Sequence, residues 1–145
     1  MKIIHTSDWH IGKIVNEYSM IDDQKYILNK LIELIDEENA DVLMIAGDVY
    51  DRSIPPVEAV ELLNETLSKL VIDRNISVLV ISGNHDSGER LSFGNKILEK
   101  QGLYIAGSDE ELYKKVVLND NNQNVNFYLV PYKEHLLKNS LIIKK

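Results

Sequence analysis

The sequence lacks cysteine altogether, and this absence excludes disulfide bonds, thiolate metal sites and cysteine nucleophiles. Any bound metal ion must therefore be held by oxygen and nitrogen atoms. Long apolar runs are also missing, since none approaches the roughly 20 residues that a membrane-spanning helix requires. The N-terminal segment MKIIHTSDWH is too polar for a secretory signal. We therefore expect a cytoplasmic protein.

Positive charge is scarce. The 145 residues include 16 lysines and arginines against 23 aspartates and glutamates, a formal net charge of -7. This sign opposes general attraction to nucleic acid, so any binding to DNA would depend on bound cations or on local basic loops. Apolar residues make up 44% of the chain, which is enough for a packed core in one ordinary domain.

Short apolar runs rich in β-branched residues alternate with helical periodicity in the first two thirds of the chain. The runs cover residues 2–5, 42–46 and 78–82. Helices are predicted over 19–38, after Pro55 and Pro56, and over 89–101, where Gly102 ends the third. Their apolar faces comprise Ile21, Ile27, Leu28, Leu31, Ile32, Leu34 and Ile35 in the first helix and Val57, Val60, Leu63, Leu67 and Leu70 in the second. This order is typical of an α/β fold, βαβαβα, with a parallel sheet.

After Gly107 the pattern changes to that of an antiparallel hairpin. Residues 112–118 and 125–130 predict two strands joined by the polar turn 119–124. We assign residues 1–132 to one domain and residues 133–145 to a tail. Because the tail is apolar, uncapped and without a partner element, we expect a chain that stops before its fold is complete.

Groups that bind metals follow all three predicted parallel strands. Asp8 and His10 follow the first, Asp48 the second, and Asn84 and His85 the third. Open α/β sheets place their ligand sites at this end of the strands. If the first segment stays extended, its period of two directs the side chains of Asp8 and His10 to the same side. Both could then contact one metal ion.

The residue types suit a two-metal centre. A carboxylate such as Asp48 can bridge two cations, while imidazole nitrogen and amide oxygen complete sites for manganese-like ions. Two such ions can clamp the attacking and leaving oxygens of a phosphoryl transfer, so no protein nucleophile is needed. The absence of both cysteine and a G-x-S-x-G motif agrees with this chemistry.

Each residue also has a simpler interpretation. Asp8 could cap a turn, Asp48 could bind a ribose in a nucleotide fold, and Asn84 could occupy a left-handed turn position. The dinucleotide interpretation fails for the set as a whole, because no G-x-G-x-x-G follows the first strand. Coincidence at three strand ends is improbable.

The motifs D-x-H, G-D-x-x-D and G-N-H-D, in this order at three strand ends, resemble the signature of the calcineurin-like metallophosphoesterases. The segments HTSDWHIGK, AGDVYDRSIPP, SGNHDSGERLSFG and GLYIAG are similar to those of the SbcD family of bacterial nucleases. The resemblance covers residues 1–132 and implies the N-terminal half of a metallophosphoesterase sandwich. It also implies a DNA exonuclease and endonuclease of repair and recombination that acts with an SbcC-type ATPase on double-stranded ends or hairpins.

The same resemblance implies roles for individual residues. Asp8 and His10 would bind a first metal, Asp48 would bridge, and Asn84 would bind a second metal, with Mn²⁺ expected and Mg²⁺ as the alternative. His85 would act as proton donor or charge stabiliser for the leaving oxygen, a role that suits imidazole.

Neighbouring residues have supporting roles in this interpretation. Asp51 and Asp86 would orient the metal ligands. Lys13, Arg52 and Arg90 follow the three motifs and would contact DNA phosphates, or they are ordinary exposed loop cations. The aromatic residues Trp9, Tyr50 and Phe93 could stack on bases, but packing against the protein is the more common fate.

The family completes its metal pair with a later histidine and a G-H-x-H segment, and neither occurs in this sequence. We therefore expect a fragment with an under-ligated second site. Parity directs His5 away from Asp8, so we expect it to be buried and hydrogen-bonded, and we expect His135 to be exposed in the tail. Apolar surface left by a missing second sheet would favour a homodimer.

Two function classes stay open. The first is an enzyme, namely the metal-dependent nuclease, with another calcineurin-like phosphodiesterase or phosphatase as the runner-up. The second is an inactive fragment that only binds metal, DNA or a partner chain.

Overall fold

The computed structural model describes residues 1–121 and 123–133. Its strands are β1 (Ile3–Thr6), β2 (Ile14–Val15), β3 (Tyr18–Ser19), β4 (Val42–Ala46), β5 (Ser77–Ile81), β6 (Leu103–Ala106), β7 (Lys114–Asp120) and β8 (Gln123–Leu129). Its α-helices are α1 (Ile21–Glu38), α2 (Val57–Val71), α3 (Gly88–Leu91) and α4 (Asn95–Leu98), with 3-10 turns at Glu99–Gln101 and Asp109–Glu111. In this part of the chain no helix combines the length and the apolar composition needed to cross a membrane.

A parallel sheet in the order β1-β4-β5-β6 forms the centre of the structure. The expected α/β fold is confirmed, and so are its first three parallel strands, which pair with β4 in the middle. The fourth strand, β6, was not predicted from the sequence because it follows a helical segment with only Gly102 between them. The expected antiparallel hairpin is β7–β8, and its strands extend further into the turn than predicted.

Two apolar clusters lie on opposite faces of this sheet, as the alternation of strand side chains requires. The larger cluster joins the helices α1 and α2 to the strand residues Leu43, Ile45, Val78, Val80, Leu103 and Ile105. The smaller cluster joins the hairpin β7–β8 to Val42, Leu79 and Ala106. The sheet is therefore covered by helices on one face and by the hairpin on part of the other.

The predicted apolar faces of the first two helices are too wide. In α1 the buried residues are Leu28, Ile32 and Ile35, whereas Ile27 is 61% exposed and Leu34 is 44% exposed. In α2, Val57 and Val60 are also exposed. Helical periodicity includes these positions, but each lies at the margin of the stripe that meets the sheet.

The third predicted helix is broken. Gly94 has a φ of 72°, a left-handed conformation that an α-helix cannot continue, and it separates α3 from α4. The segment then tightens into the 3-10 turn Glu99–Gln101, which Gly102 ends with a φ of 93°, as expected.

The prediction that His5 is buried is wrong. His5 lies on the face of β1 away from the helices, and its side chain is exposed. Within the described residues β1 pairs only with β4, so it is an edge strand, and the hairpin covers this face further along the sheet. The prediction for His135 lies outside the described residues.

Candidate metal centre

The loops that follow β1 and β4 are joined by backbone hydrogen bonds beyond the end of the sheet. The Asp8 N–H donates to the Gly47 carbonyl oxygen at 3.1 Å, and the His10 N–H donates to the Asp48 carbonyl oxygen at 2.9 Å. A further bond from the Ile11 N–H continues the ladder. The two loops therefore leave the sheet side by side, which brings their polar side chains to one place.

The loop after β1 is not extended, in contrast to the prediction. Asp8 has a φ of 57° and His10 a φ of 44°, and Asp48 in the neighbouring loop has a φ of 50°. Residues other than glycine rarely adopt this left-handed conformation, and it persists only where surrounding contacts impose it. The side chains of Asp8 and His10 nevertheless face each other, because the twisted backbone turns both of them toward the loop after β4.

Asp8, His10 and Asp48 form a cluster of potential metal ligands. The Nε2 atom of His10 lies 3.8 Å from Oδ1 of Asp8 and 3.9 Å from Oδ2 of Asp48. One ligand atom from each of the three lies within 4.8 Å of the others. Two carboxylates and one imidazole at this spacing can surround a single divalent cation.

Asp48 is the most buried member of this cluster, with 9% of its surface exposed. Its Oδ1 accepts a hydrogen bond of 3.0 Å from the His85 N–H, which connects the loop after β4 to the loop after β5. Gly83 makes this approach possible, because a Cβ atom there would overlap the Asp48 carboxylate. Asp48 therefore lies between the other two loops.

His85 lies beside His10 at the centre of the site. Their rings meet edge to face with centroids 4.8 Å apart. Nδ1 of His85 lies 2.9 Å from the Asp51 carbonyl oxygen. Because a carbonyl only accepts, this nitrogen carries the proton and Nε2 is left for other partners. Oδ1 of Asp51 also lies 3.5 Å from Nδ1 of His10, so that His10, Asp51 and His85 form a second group of potential ligands.

Asp86 holds the loops after β4 and β5 together. Its carboxylate accepts hydrogen bonds from the N–H groups of Val49 at 3.1 Å, Tyr50 at 2.9 Å and Gly83 at 2.8 Å. Burial, reinforced by the Asp86 charge, raises the pKa of Tyr50 to about 12. The Tyr50 phenol is therefore neutral at physiological pH.

The remaining candidates lie around this centre. Asn84 is exposed and lines, with Tyr132 and Lys133, a neighbouring cleft of about 330 Å³. The three candidate phosphate contacts, Lys13, Arg52 and Arg90, are all exposed. Arg52 lies 3.8 Å from the Asp51 carboxylate.

The three aromatic residues behave differently from one another. Trp9 and Tyr50 pack against the larger core, and the Trp9 indole N–H donates to the Thr6 hydroxyl at 3.1 Å. Phe93 is 87% exposed, so the expectation that it packs is wrong. It follows α3 at the helix break, where the chain carries its ring away from the core.

Gln24 contacts the site from the first turns of α1 and was not a candidate. Its amide nitrogen donates to the carbonyl oxygens of Trp9 at 3.2 Å and His10 at 2.7 Å. Its amide oxygen accepts from the Gly12 N–H at 3.0 Å. Only its place soon after the D-x-H motif could have suggested this role, because a glutamine near a helix start has no distinctive pattern.

The chemistry of this site fits a cation. Among the described residues, Nδ1 of His10 is the one buried side-chain nitrogen or oxygen without a hydrogen-bond partner, and it lies 3.5 Å from Oδ1 of Asp51, in the second group of potential ligands. Asp48 is buried, and its ion-pair contact in the same part of the chain is with His10 alone. A buried carboxylate is unfavourable unless a positive charge compensates it. The cluster of Asp8, His10 and Asp48 is thus able to hold a metal ion.

Comparison with known proteins gives a consistent result. The calcineurin-like phosphoesterase family matches residues 1–142. The chain is 46% identical over 132 residues to a Staphylococcus saprophyticus protein named as the D component of the nuclease SbcCD, and 43% identical over 132 residues to the Staphylococcus epidermidis protein of that name. Each match covers 91% of this chain and 34% of the relative, so the chain spans about a third of their length. The chain belongs to the calcineurin-like phosphoesterase family.

Proposed function

We propose that this chain is the N-terminal part of an SbcD-like, metal-dependent nuclease that hydrolyses phosphodiester bonds in DNA during repair and recombination. The observation that carries the proposal is the convergence of three strand-end loops, which brings Asp8, His10 and Asp48 together beside His85. The names of the two staphylococcal relatives support a nuclease rather than another member of the family.

In this proposal Asp8 and His10 would hold a first divalent ion, Asp48 would be shared between two ions, and Asn84 would contribute to the second site. The mixture of carboxylate, imidazole and amide ligands favours Mn²⁺, with Mg²⁺ as the alternative. When bound, such ions polarise a phosphoryl oxygen and lower the pKa of an attacking water. We expect weak occupancy of that second site, because the later histidine and the G-H-x-H segment that complete the pair in the resembled family do not occur in this sequence.

His85 is proposed as the proton donor to the leaving oxygen. The Asp51 carbonyl oxygen fixes Nδ1 of His85 as a hydrogen-bond donor, so the ring presents Nε2 to the site. A protonated ring would then deliver the Nε2 proton as the phosphorus–oxygen bond breaks. Asp51 and Asp86 orient His10, His85 and the two loops without contacting the substrate.

DNA is the proposed substrate despite the net charge of -7. Metal ions would neutralise the acidic centre, and the exposed side chains of Lys13, Arg52 and Arg90 would contact phosphates at its border. We further propose that the protein acts in the cytoplasm.

Two protein partners are part of the proposal. An SbcC-type ATPase would bind the whole protein, as the SbcCD name of the relatives implies. A homodimer is also proposed, because large apolar side chains at the start of α2 and in the α3–α4 segment are exposed. They are Ile54 at 67%, Val57 at 69%, Phe93 at 87% and Ile97 at 74% exposed. We further propose residues 1–132 as the domain and residues 133–145 as a tail.

Hydrolysis with matched histidine variants tests this function. The chain is given Mn²⁺ with double-stranded DNA and, separately, with the small diester bis-p-nitrophenyl phosphate. His85→Ala should lower the rate about 100-fold or more, because general-acid catalysis contributes on this scale. His5→Ala is the control, since His5 is an exposed histidine on β1 that contacts none of the proposed ligands.

The alternatives give different results. Cleavage of the small diester with no cleavage of DNA would indicate a different calcineurin-like phosphodiesterase or phosphatase. Equal rates for the parent chain, His85→Ala and a protein-free control would indicate a fragment that only binds metal, DNA or a partner.

A further inference from the structure

The loop that carries Asp8 and His10 has two sets of external contacts. On one side it bonds to the loop after β4 through the N–H groups of Asp8, His10 and Ile11. On the other side it faces the first turns of α1, where the Gln24 amide lies against it. The left-handed conformations of Asp8 and His10 are unfavourable on their own, so these contacts must impose them.

Both the nitrogen and the oxygen of the Gln24 side-chain amide form hydrogen bonds with this loop. The nitrogen donates to two successive carbonyl oxygens, those of Trp9 and His10, and the oxygen accepts from the N–H two residues further on, at Gly12. One side chain thus fixes the orientation of the peptide groups on both sides of His10. Among ordinary side chains, a primary amide of this length is required for donation and acceptance at the same time.

The end of this loop, at Gly12 and Lys13, is also held by contacts with other elements. Gln24 therefore contacts a loop that is anchored beyond His10 as well. Gly12 packs against Pro56 and Ala59 at the start of α2, where an added Cβ would come within 3.1 Å of the Pro56 ring. The Met20 N–H donates to the Lys13 carbonyl oxygen at 3.0 Å, and the Gln24 N–H donates to that of Met20 at 2.9 Å. These contacts make the backbone conformation of His10 depend on the position of α1.

We propose that Gln24 is a positioning residue for the metal centre, which acts by holding the His10 backbone in the conformation that directs its imidazole toward Asp8 and Asp48. This inference rests on the proposed metal-dependent function. The Gln24 amide bonds to backbone atoms of the loop, so it would touch neither metal nor substrate. Removal of its amide lets the loop relax toward an ordinary conformation and separates the ligands.

Two variants and one control test the role. Gln24→Glu keeps the size of the side chain and the acceptor for Gly12 but loses both donors, and Gln24→Met loses all three bonds. Lys25→Met is the control, because Lys25 is the next residue of α1 and its contact with Glu65 of α2 at 3.2 Å lies away from the loop. If Gln24→Met does not fold, Gln24→Glu carries the test.

The first measurement is amide hydrogen exchange in the metal-free protein. Both Gln24 variants should speed exchange of the His10 and Ile11 N–H groups by about 10-fold, since loss of two hydrogen bonds makes local opening easier. Exchange in the strands should be unchanged. Lys25→Met should leave the loop at the parent rate. Parent-like exchange in Gln24→Glu would overturn the proposal.

The second measurement is Mn²⁺ affinity by isothermal titration calorimetry. Both Gln24 variants should bind Mn²⁺ about 10-fold or more weakly, which is the usual effect of removing a group that orients a ligand. Faster loop exchange with unchanged affinity would also overturn the proposal. A parent chain that binds no Mn²⁺ would refute the proposed metal centre instead, while the loop exchange still decides whether Gln24 orders the loop.

Discussion

The body of the parallel sheet and the loops at its carboxyl end follow different physical rules. In the strands, β-branched and leucine side chains alternate between two apolar clusters, and Leu43 and Val78 are fully buried. In the loops, Asp8, His10 and Asp48 adopt left-handed conformations, and carboxylates accept backbone N–H groups across loops. The sheet is stabilised by burial, whereas the site is shaped by a few directed hydrogen bonds. Stability and metal binding should therefore respond to different substitutions.

A cavity in the sheet body should give the largest change in stability with the smallest change at the site. Leu43→Ala removes a fully buried side chain from β4, and we expect the free energy of unfolding to fall by about 2–5 kcal/mol. Urea unfolding measures this loss. Mn²⁺ affinity of the molecules that stay folded should equal that of the parent chain. A large loss of Mn²⁺ affinity would mean that the geometry of the metal site depends on the packing of the sheet.

Filling the space between the loops after β4 and β5 should affect both stability and Mn²⁺ affinity. Gly83→Ala places a methyl group against the Asp48 carboxylate and backbone nitrogen, and we expect about 1–3 kcal/mol of destabilisation from this overpacking together with weaker Mn²⁺ binding. Gly94→Ala is the matched control, because it has open space and a φ of 72°. It should be destabilising by about 1 kcal/mol through backbone strain alone and leave Mn²⁺ affinity unchanged. Equal affinity in the two variants would contradict the role given to Gly83.

Loss of a carboxylate that links two loops should act mainly on metal binding. Asp86→Asn retains one acceptor oxygen for three N–H groups, those of Val49, Tyr50 and Gly83, so the loops after β4 and β5 should separate slightly. We expect Mn²⁺ affinity to fall about 10-fold or more, as is usual for groups that orient metal ligands. Titration calorimetry measures the change. Parent-like affinity would show that the two loops keep their spacing without Asp86.

The smallest effect is expected at Glu111, whose hydrogen bonds reach none of the proposed metal ligands. Burial raises the pKa of this carboxyl, but hydrogen bonds from the Gly107 and Ser108 N–H groups and the Ser92 hydroxyl outweigh it, so the net pKa lies below the ordinary 4.5. A folded-state pKa below the unfolded value contributes stability above about pH 4.5. That contribution disappears as the pH falls through the folded value.

Glu111→Gln should therefore flatten the loss of stability in acid. Urea unfolding is measured between about pH 7 and pH 3, the range that spans carboxyl titration. The free energy of unfolding should fall less steeply with decreasing pH in Glu111→Gln than in the parent chain. Glu110→Gln, at the exposed neighbour, is the control and should leave the slope unchanged. An unchanged slope in Glu111→Gln would show that the hydrogen bonds do not depend on its charge.

The sequence predicted several regular elements of the structure closely. The strand expected over residues 42–46 is β4 with the same bounds, and α1 begins two residues later than expected because Ser19 belongs to the short strand β3. These elements form where apolar residues recur at the period of a strand or a helix, and that period is visible in a single sequence. The strand β6 was missed because it follows a predicted helical segment with only Gly102 between them.

The candidate site was predicted as a set of residues but not as a geometry. The position of Asp8, His10 and Asp48 at strand ends followed from the parallel sheet, and the structure brings these three together. Their left-handed backbone could not be predicted, because contacts with distant loops impose it. The amide of Gln24 and the exposure of His5 and Phe93 likewise depend on which elements meet in three dimensions.

Anomalous diffraction from a crystal soaked in Mn²⁺ would locate the metal centre itself. We expect a manganese peak in contact with the side chains of Asp8, His10 and Asp48, at the point where the loops after β1 and β4 meet. A crystal that binds manganese only elsewhere, or shows no peak between these three side chains, would contradict this expectation.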